Sequence, residues 1–136
     1  MPRKRELDAL VEAARRARSR AYSPYSGVKI GAAVITSEGR VYTGANVENS
    51  SYGLSCCAER IAIFKAASEG ARKMDAIAIV GESDEYTRPC GACRQVMVEF
   101  NPRMKVLRRG ADGFSKDDRA DSLLPDHFNP PGLAKR

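Results

Sequence analysis

The chain has 136 residues, 43% hydrophobic and 29% charged, enough to bury about two thirds of the surface its unfolded form would expose. That balance excludes a wholly disordered or collagenous chain, and no apolar run reaches the length a bilayer-spanning helix needs. The net charge of +6 is concentrated at the start, where Arg3, Lys4, Arg5, Arg15, Arg16, Arg18 and Arg20 outnumber Glu6, Asp8 and Glu12.

In chain order, Leu7, Leu10, Val11, Ala14, Ala17 and Ala21 recur at helical spacing, which predicts an amphipathic helix over about residues 6–20. Its basic residues sit mostly off the apolar stripe, and no aromatic residue is interleaved with them as a single-strand stacking platform would require, so they read as a solvated face. The basic opening leads into this helix and not into the apolar stretch of a secretory signal, so a cytoplasmic protein is expected. Pro24 and Gly27 mark a loop. Residues 28–36 and 40–47 are rich in β-branched residues and flank Ser37-Glu38-Gly39, which predicts a hairpin. A helix follows from Cys57, with Gly70 placed to cap it and Phe64 widening its buried surface. A buried strand is expected over 76–81, a helix over 91–100 and a strand over 104–108, with an irregular tail over about 129–136. The alternation of helices and strands, with no internal repeat or linker, predicts a single α/β domain over 1–136 with a mixed sheet and helices on its faces.

The chemistry concentrates in two places, Ser55-Cys56-Cys57-Ala58-Glu59-Arg60 and Arg88-Pro89-Cys90-Gly91-Ala92-Cys93-Arg94-Gln95. All four cysteines fall in these two clusters, each at the mouth of a predicted helix, where free N–H groups and the helix dipole favour thiolate. The spacing of Cys90 and Cys93 lets both sulfurs face one point, and a third thiolate from Cys57 or Cys56 leaves a zinc ion with one open position. The residues alone leave two alternatives open, a redox pair at Cys90 and Cys93 or a structural four-cysteine zinc. Against the latter, adjacent residues at a helix start point in divergent directions. Positions 57 and 59 diverge by roughly 200° on a regular helix, so they serve one site only if it lies near the axis at the first turn, as a helix start at Cys57 allows.

Together, Cys57-Ala58-Glu59-Arg60 and Pro89-Cys90-Gly91-Ala92-Cys93-Arg94-Gln95 resemble the zinc-dependent cytidine deaminases. The likeness extends along nearly the whole chain through Ala21-Tyr22-Ser23-Pro24-Tyr25-Ser26, Gly31-Ala32-Ala33, Asn46-Val47-Glu48-Asn49 and Ser122-Leu123-Leu124-Pro125, and it is strongest to the short, homotetrameric branch whose ligands are three cysteines. The resemblance implies a three-layer α/β/α sandwich with a mixed, roughly five-stranded sheet. It implies one zinc per subunit held by Cys57, Cys90 and Cys93, with Glu59 as the catalytic proton carrier and Arg60 hydrogen-bonded to a ligand sulfur. Asn46 and Glu48 match a pair that bonds the ribose 3′-hydroxyl, and the main-chain N–H of Ala58 matches a contact to the base carbonyl. Phe128, Ser50 and Tyr52 lie where neighbouring subunits complete the pocket.

Val28 departs from the pattern, standing where the family places a phenylalanine against the pyrimidine. The implied reaction is hydrolytic deamination of cytidine and deoxycytidine, releasing ammonia, in pyrimidine salvage. The valine keeps another aminopyrimidine nucleoside, such as blasticidin S, as the runner-up substrate. A free nucleoside is favoured over nucleic acid by the ribose pair and the compact chain. Cys56 is left as a spare buried thiol, and His127, the one histidine, as an exposed or interface residue.

Overall fold

The computed structural model describes residues 1–129; the expected irregular tail falls, from residue 130 onward, outside the described residues. The chain runs through α1 (Lys4–Arg18), β1 (Gly31–Thr36), β2 (Val41–Ala45), a 3₁₀ turn (Tyr52–Leu54), α2 (Ala58–Ser68) and β3 (Met74–Gly81), then α3 (Asp84–Thr87), α4 (Gly91–Phe100), β4 (Lys105–Gly110), β5 (Ser115–Arg119) and α5 (Ala120–Leu123). The five strands form one sheet in the order β2-β1-β3-β4-β5. Only the β3–β4 pair is parallel, so the sheet is mixed.

The pleat sends alternate side chains to opposite faces, and both faces of the central strands are covered. On one side α1 sets Leu10 and Ala14 against Ala33, Ile35, Ala76, Ala78 and Val80. On the other, Ala62, Ile63 and Ala66 of α2 and Met97 and Val98 of α4 pack on Ala32, Val34, Ile77, Ile79 and Val106. This double burial is why residues 31–35 of β1 and 76–81 of β3 read as unbroken apolar runs. The α1 helix opens with Glu6 accepting from the Arg3 N–H and closes with Arg15, Arg16 and Arg18, both favourable to its dipole.

The first strand begins at Gly31, not at residue 28, because the side chain of Asn46 takes over the backbone there. Its Nδ2 donates to Val28 O at 2.9 Å and its Oδ1 accepts from Ile30 N at 2.8 Å, in place of ladder bonds. Phe64, expected to widen the buried surface of α2, stands exposed, and the buried stripe of that helix is Ala58, Glu59, Ala62, Ile63 and Ala66. Gly70 ends the helix at φ +102°, a conformation suited to glycine, while the Ala71 N–H returns to Ala66 O at 3.0 Å. Among the described residues no helix is long and apolar enough to cross a membrane.

Gly44 on β2 lets the first turn of α2 lie directly on the strand. A Cβ built there would sit 2.5 Å from Ala58 O and 2.7 Å from Ala62 N, both backbone atoms that cannot swing aside. The Gly44→Ala variant is therefore expected to lower the melting temperature by on the order of 10 °C, as overpacking by about 2 kcal/mol does in a chain of this size, a shift read by calorimetry.

Candidate metal centre and active site

Helices α2 and α4 begin at one place. Cys57 is the N-cap of α2 and Cys90 the N-cap of α4, both in extended conformation, and Cys93 lies in the first turn of α4. The Sγ atoms of Cys57 and Cys90 are 3.8 Å apart, those of Cys90 and Cys93 are 3.4 Å apart, and all three lie within 4.8 Å of one another. The Cys93 N–H also donates to Cys90 Sγ at 3.4 Å, so the α4 cap is a sulfur. Pro89 is buried immediately before it, and the Nε of Arg94 donates to the Pro89 carbonyl at 2.7 Å while its Nη1 donates to Leu123 O at 2.9 Å. Arg94 thus ties the approach to Cys90 to the end of α5.

The donor set fits a zinc ion. All four cysteines are free thiols, and a tetrahedral zinc with bonds of about 2.3 Å separates its sulfurs by about 3.8 Å, close to the observed spacings. The Cys57 thiol is held well below the usual range, first by hydrogen bonding from Cys93 and then by the Arg60 guanidinium, whereas Cys93 is pushed up by that same bond and by burial. Cys56 stays outside the cluster. Its backbone pairs with Val47 in both directions, at 2.9 and 3.0 Å, and its half-buried thiol is pushed up by desolvation.

Glu59, the second residue of α2, is only 4% exposed. Its carboxyl is pushed up to about 7, first by desolvation and then by the charge of Cys57. A group so placed exchanges protons readily near neutral pH. Arg60 reaches back one turn, and its Nη2 donates to Cys57 Sγ at 3.6 Å. Among the described residues its Nε is the one buried side-chain nitrogen or oxygen without a partner.

The residues matched to substrate contacts lie in two regions. Ala58, fully buried, opens α2 beside the cysteines. Glu48 binds the loop before β1: its Oε1 accepts from the Tyr25 and Ser26 N–H groups at 3.0 Å each, and its Oε2 accepts from the Ser26 hydroxyl. These contacts hold its carboxyl below the usual carboxylate range, led by the Ser26 hydroxyl. Asn46 spends its amide on Val28 and Ile30, as described, and Val28 itself is half-buried. Ser26 is thus a participant that residue type alone did not reveal, although its place beside Tyr25 in the loop motif offered a signal.

Ser50 and Tyr52 are exposed; Tyr52, 74% exposed, meets Tyr25 edge-on with ring centroids 5.9 Å apart. Phe128, 73% exposed, does not join the cysteine cluster within the chain. With His127, Arg72, Lys73, Phe100 and Asn101 it lines a separate cleft of about 490 Å³. His127 is half-buried, its Nδ1 lying 3.2 Å from Leu124 O.

The cytidine and deoxycytidylate deaminase zinc-binding region matches residues 4–108, both cysteine clusters included. The chain belongs to this family. Its members are zinc-dependent aminohydrolases, and zinc is the cofactor. A cytidine deaminase of Halalkalibacterium halodurans is 48% identical over 120 residues, covering 88% of this chain and 91% of its own length. The crystal structure of a cytidine deaminase from Burkholderia pseudomallei superposes with a TM-score of 0.85 at 50% identity, over 89% of this chain and 98% of that one. A Mycobacterium tuberculosis cytidine deaminase superposes at 0.75 with 36% identity, over 91% and 98% of the respective chains.

Zinc should shield its ligands from alkylation. Peptide mass spectrometry after brief iodoacetamide treatment is expected to find Cys57 and Cys90 modified at least about tenfold more slowly in zinc-loaded protein than after chelation, with Cys56 unchanged.

Proposed function

We propose that the protein hydrolyses the C4 amino group of cytidine and deoxycytidine, giving uridine or deoxyuridine and ammonia, in pyrimidine salvage. The observation that carries this reading is the burial of the Glu59 carboxyl in the first turn of α2, at the same helix mouth where three free thiols converge. Cys57, Cys90 and Cys93 would hold the ion. Zinc bound there supplies a Lewis acid that makes water acidic enough to ionise near neutral pH.

The remaining work belongs to the chain. Glu59 accepts a proton from the attacking water and passes it to N3 of the base. It then carries the second water proton to the amino group, which departs as ammonia as the C4–N bond breaks and the C4 carbonyl forms. Arg60, donating to Cys57, offsets part of the negative charge that three thiolates bring to a divalent ion. The buried Ala58 N–H, at the start of the helix, bonds the base carbonyl.

Asn46 and Glu48 take the ribose 3′-hydroxyl. Because Glu48 Oε1 already serves two backbone N–H groups, Oε2 is the oxygen that would turn to the sugar, exchanging the Ser26 hydroxyl for it. Val28 presents no ring to stack on the base, which supports one second reading, an aminopyrimidine nucleoside other than cytidine such as blasticidin S.

The assembly read here is a homotetramer of single-domain subunits working in the cytoplasm, where free thiols persist. Its support is the large apolar side chains that one chain leaves uncovered, Tyr22, Tyr25, Val47, Tyr52, Leu54 and Phe128. Phe128, Ser50 and Tyr52 then complete the pockets of neighbouring subunits. Sedimentation is expected to give a mass of four chains, and a monomer with full activity would contradict this assembly.

The decisive assay follows the ultraviolet absorbance of cytidine with parent and Glu59→Gln protein at equal zinc content. The parent is expected to convert cytidine to uridine, and the variant to lose on the order of a hundredfold or more in kcat. Full turnover by the variant would remove Glu59 from the chemistry. Turnover of blasticidin S but not cytidine by the parent would select the second reading.

A further inference from the structure

Away from the cysteines, the buried charged side chain among the described residues is Arg108 on β4. Its side chain is only 5% exposed, yet its Nε donates to Asp118 Oδ2 on β5 and its Nη1 to Asp84 Oδ1 at the start of α3, each at 2.9 Å. The guanidinium also lies over Phe114, with Cζ 5.4 Å from the ring centroid. A buried guanidinium requires such partners, and its planar fork suits two carboxylates at once. The second oxygen of Asp84 accepts from Arg88 Nη2 at 2.9 Å, and the Asp84 carbonyl accepts from the Thr87 hydroxyl at 2.9 Å. A continuous series, Asp118–Arg108–Asp84–Arg88, therefore runs from the edge strand of the sheet to a residue two positions before Cys90.

Cys90 needs this support. It is exposed, while Cys93 is buried, so little packing holds it in place. The segment leading to it, residues 82–89, contains only the single turn of α3. Its near end is fastened by the Ala111 N–H to Gly81 O at 2.9 Å and the Asp112 N–H to Glu82 O at 3.1 Å, and its far end by Arg94 on Pro89. Arg108 holds the middle.

We propose that Arg108, acting through Asp84, is a positioning residue for the metal site: it fixes the 82–89 segment so that the Cys90 sulfur stays where an ion shared with Cys57 requires it. This inference rests on the reading of Cys57, Cys90 and Cys93 as the zinc ligands. The pair between Arg109 and Asp117 supplies an internal control, since it joins the same two strands at 2.9 Å and has no link to the 82–89 segment.

The test measures the rate at which zinc passes from the loaded protein to an excess of chromogenic chelator. Asp84→Ala, which removes the link between Arg108 and Arg88, is expected to release zinc about tenfold faster than the parent, the low end of what supporting contacts around a metal ligand contribute, while Asp117→Ala matches the parent. Arg108→Lys keeps the charge but loses the fork, so it is also expected to release zinc faster, and it carries the comparison if Asp84→Ala does not fold. Parent rates in both Asp84→Ala and Arg108→Lys would overturn the proposal, as would equal acceleration by Asp117→Ala. A parent that binds no zinc would sink the ligand reading together with this inference, whereas a zinc-binding parent with unresponsive variants would sink the inference alone.

Discussion

The site depends on one constraint, that two helices on the same face of the sheet must begin at the same point. Cys57 and Cys90 are the extended caps of α2 and α4, and everything chemical follows from their sulfurs lying 3.8 Å apart. The close approach of α2 to β2 at Gly44 keeps the first turn of that helix low on the sheet, which buries Ala58 and Glu59. Helix N-terminal amides and dipoles favour negative charge, so the place is suited to thiolates. The same burial works against a charged carboxylate at Glu59. The result is a site in which the Cys57 sulfur tends to ionise and the neighbouring acid tends to keep its proton. Such opposed tendencies, at residues two positions apart, suit one to hold a metal and the other to carry a proton.

The charge of the cluster is balanced locally. Three thiolates around a divalent ion leave a net negative centre, and Arg60 places one nitrogen on Cys57 while its Nε stays without a partner in buried surroundings. The substrate side has a different character. Asn46 and Glu48 spend most of their hydrogen-bonding capacity on the backbone of residues 25–30, so the residues proposed to take the ribose also build this loop.

Much of the fold was legible where a single physical signal dominated. The 3.6-residue stripe of Leu7, Leu10, Ala14 and Ala17 announced α1, and the bounds of α4 agreed because Pro89 and Cys90 start it and Asn101-Pro102 stops it. The strand β5 was not legible: Ser-Lys-Asp-Asp-Arg carries no apolar alternation, and it is a strand because the edge of β4 offers hydrogen-bonding partners and its charges can face water. Arg108 was hidden for a related reason, since its burial depends on Asp84 and Asp118 arriving from distant positions. At the site, the convergence of the cysteines was readable from their spacing and their place at helix starts. The bonds of Ser26 and Arg94 were harder to read, because Glu48 and the Leu123 carbonyl come within reach of them only in the fold.

The three-cysteine cluster, with Cys56 outside it, would hold zinc through three sulfurs and not four, with one position left open for water. X-ray absorption at the zinc edge of the purified protein tests this most directly. Three sulfur neighbours at about 2.3 Å and one lighter oxygen or nitrogen neighbour at about 2.0 Å are expected. Four sulfur neighbours would contradict this, because Cys56 would then complete a closed structural site with no position left for water.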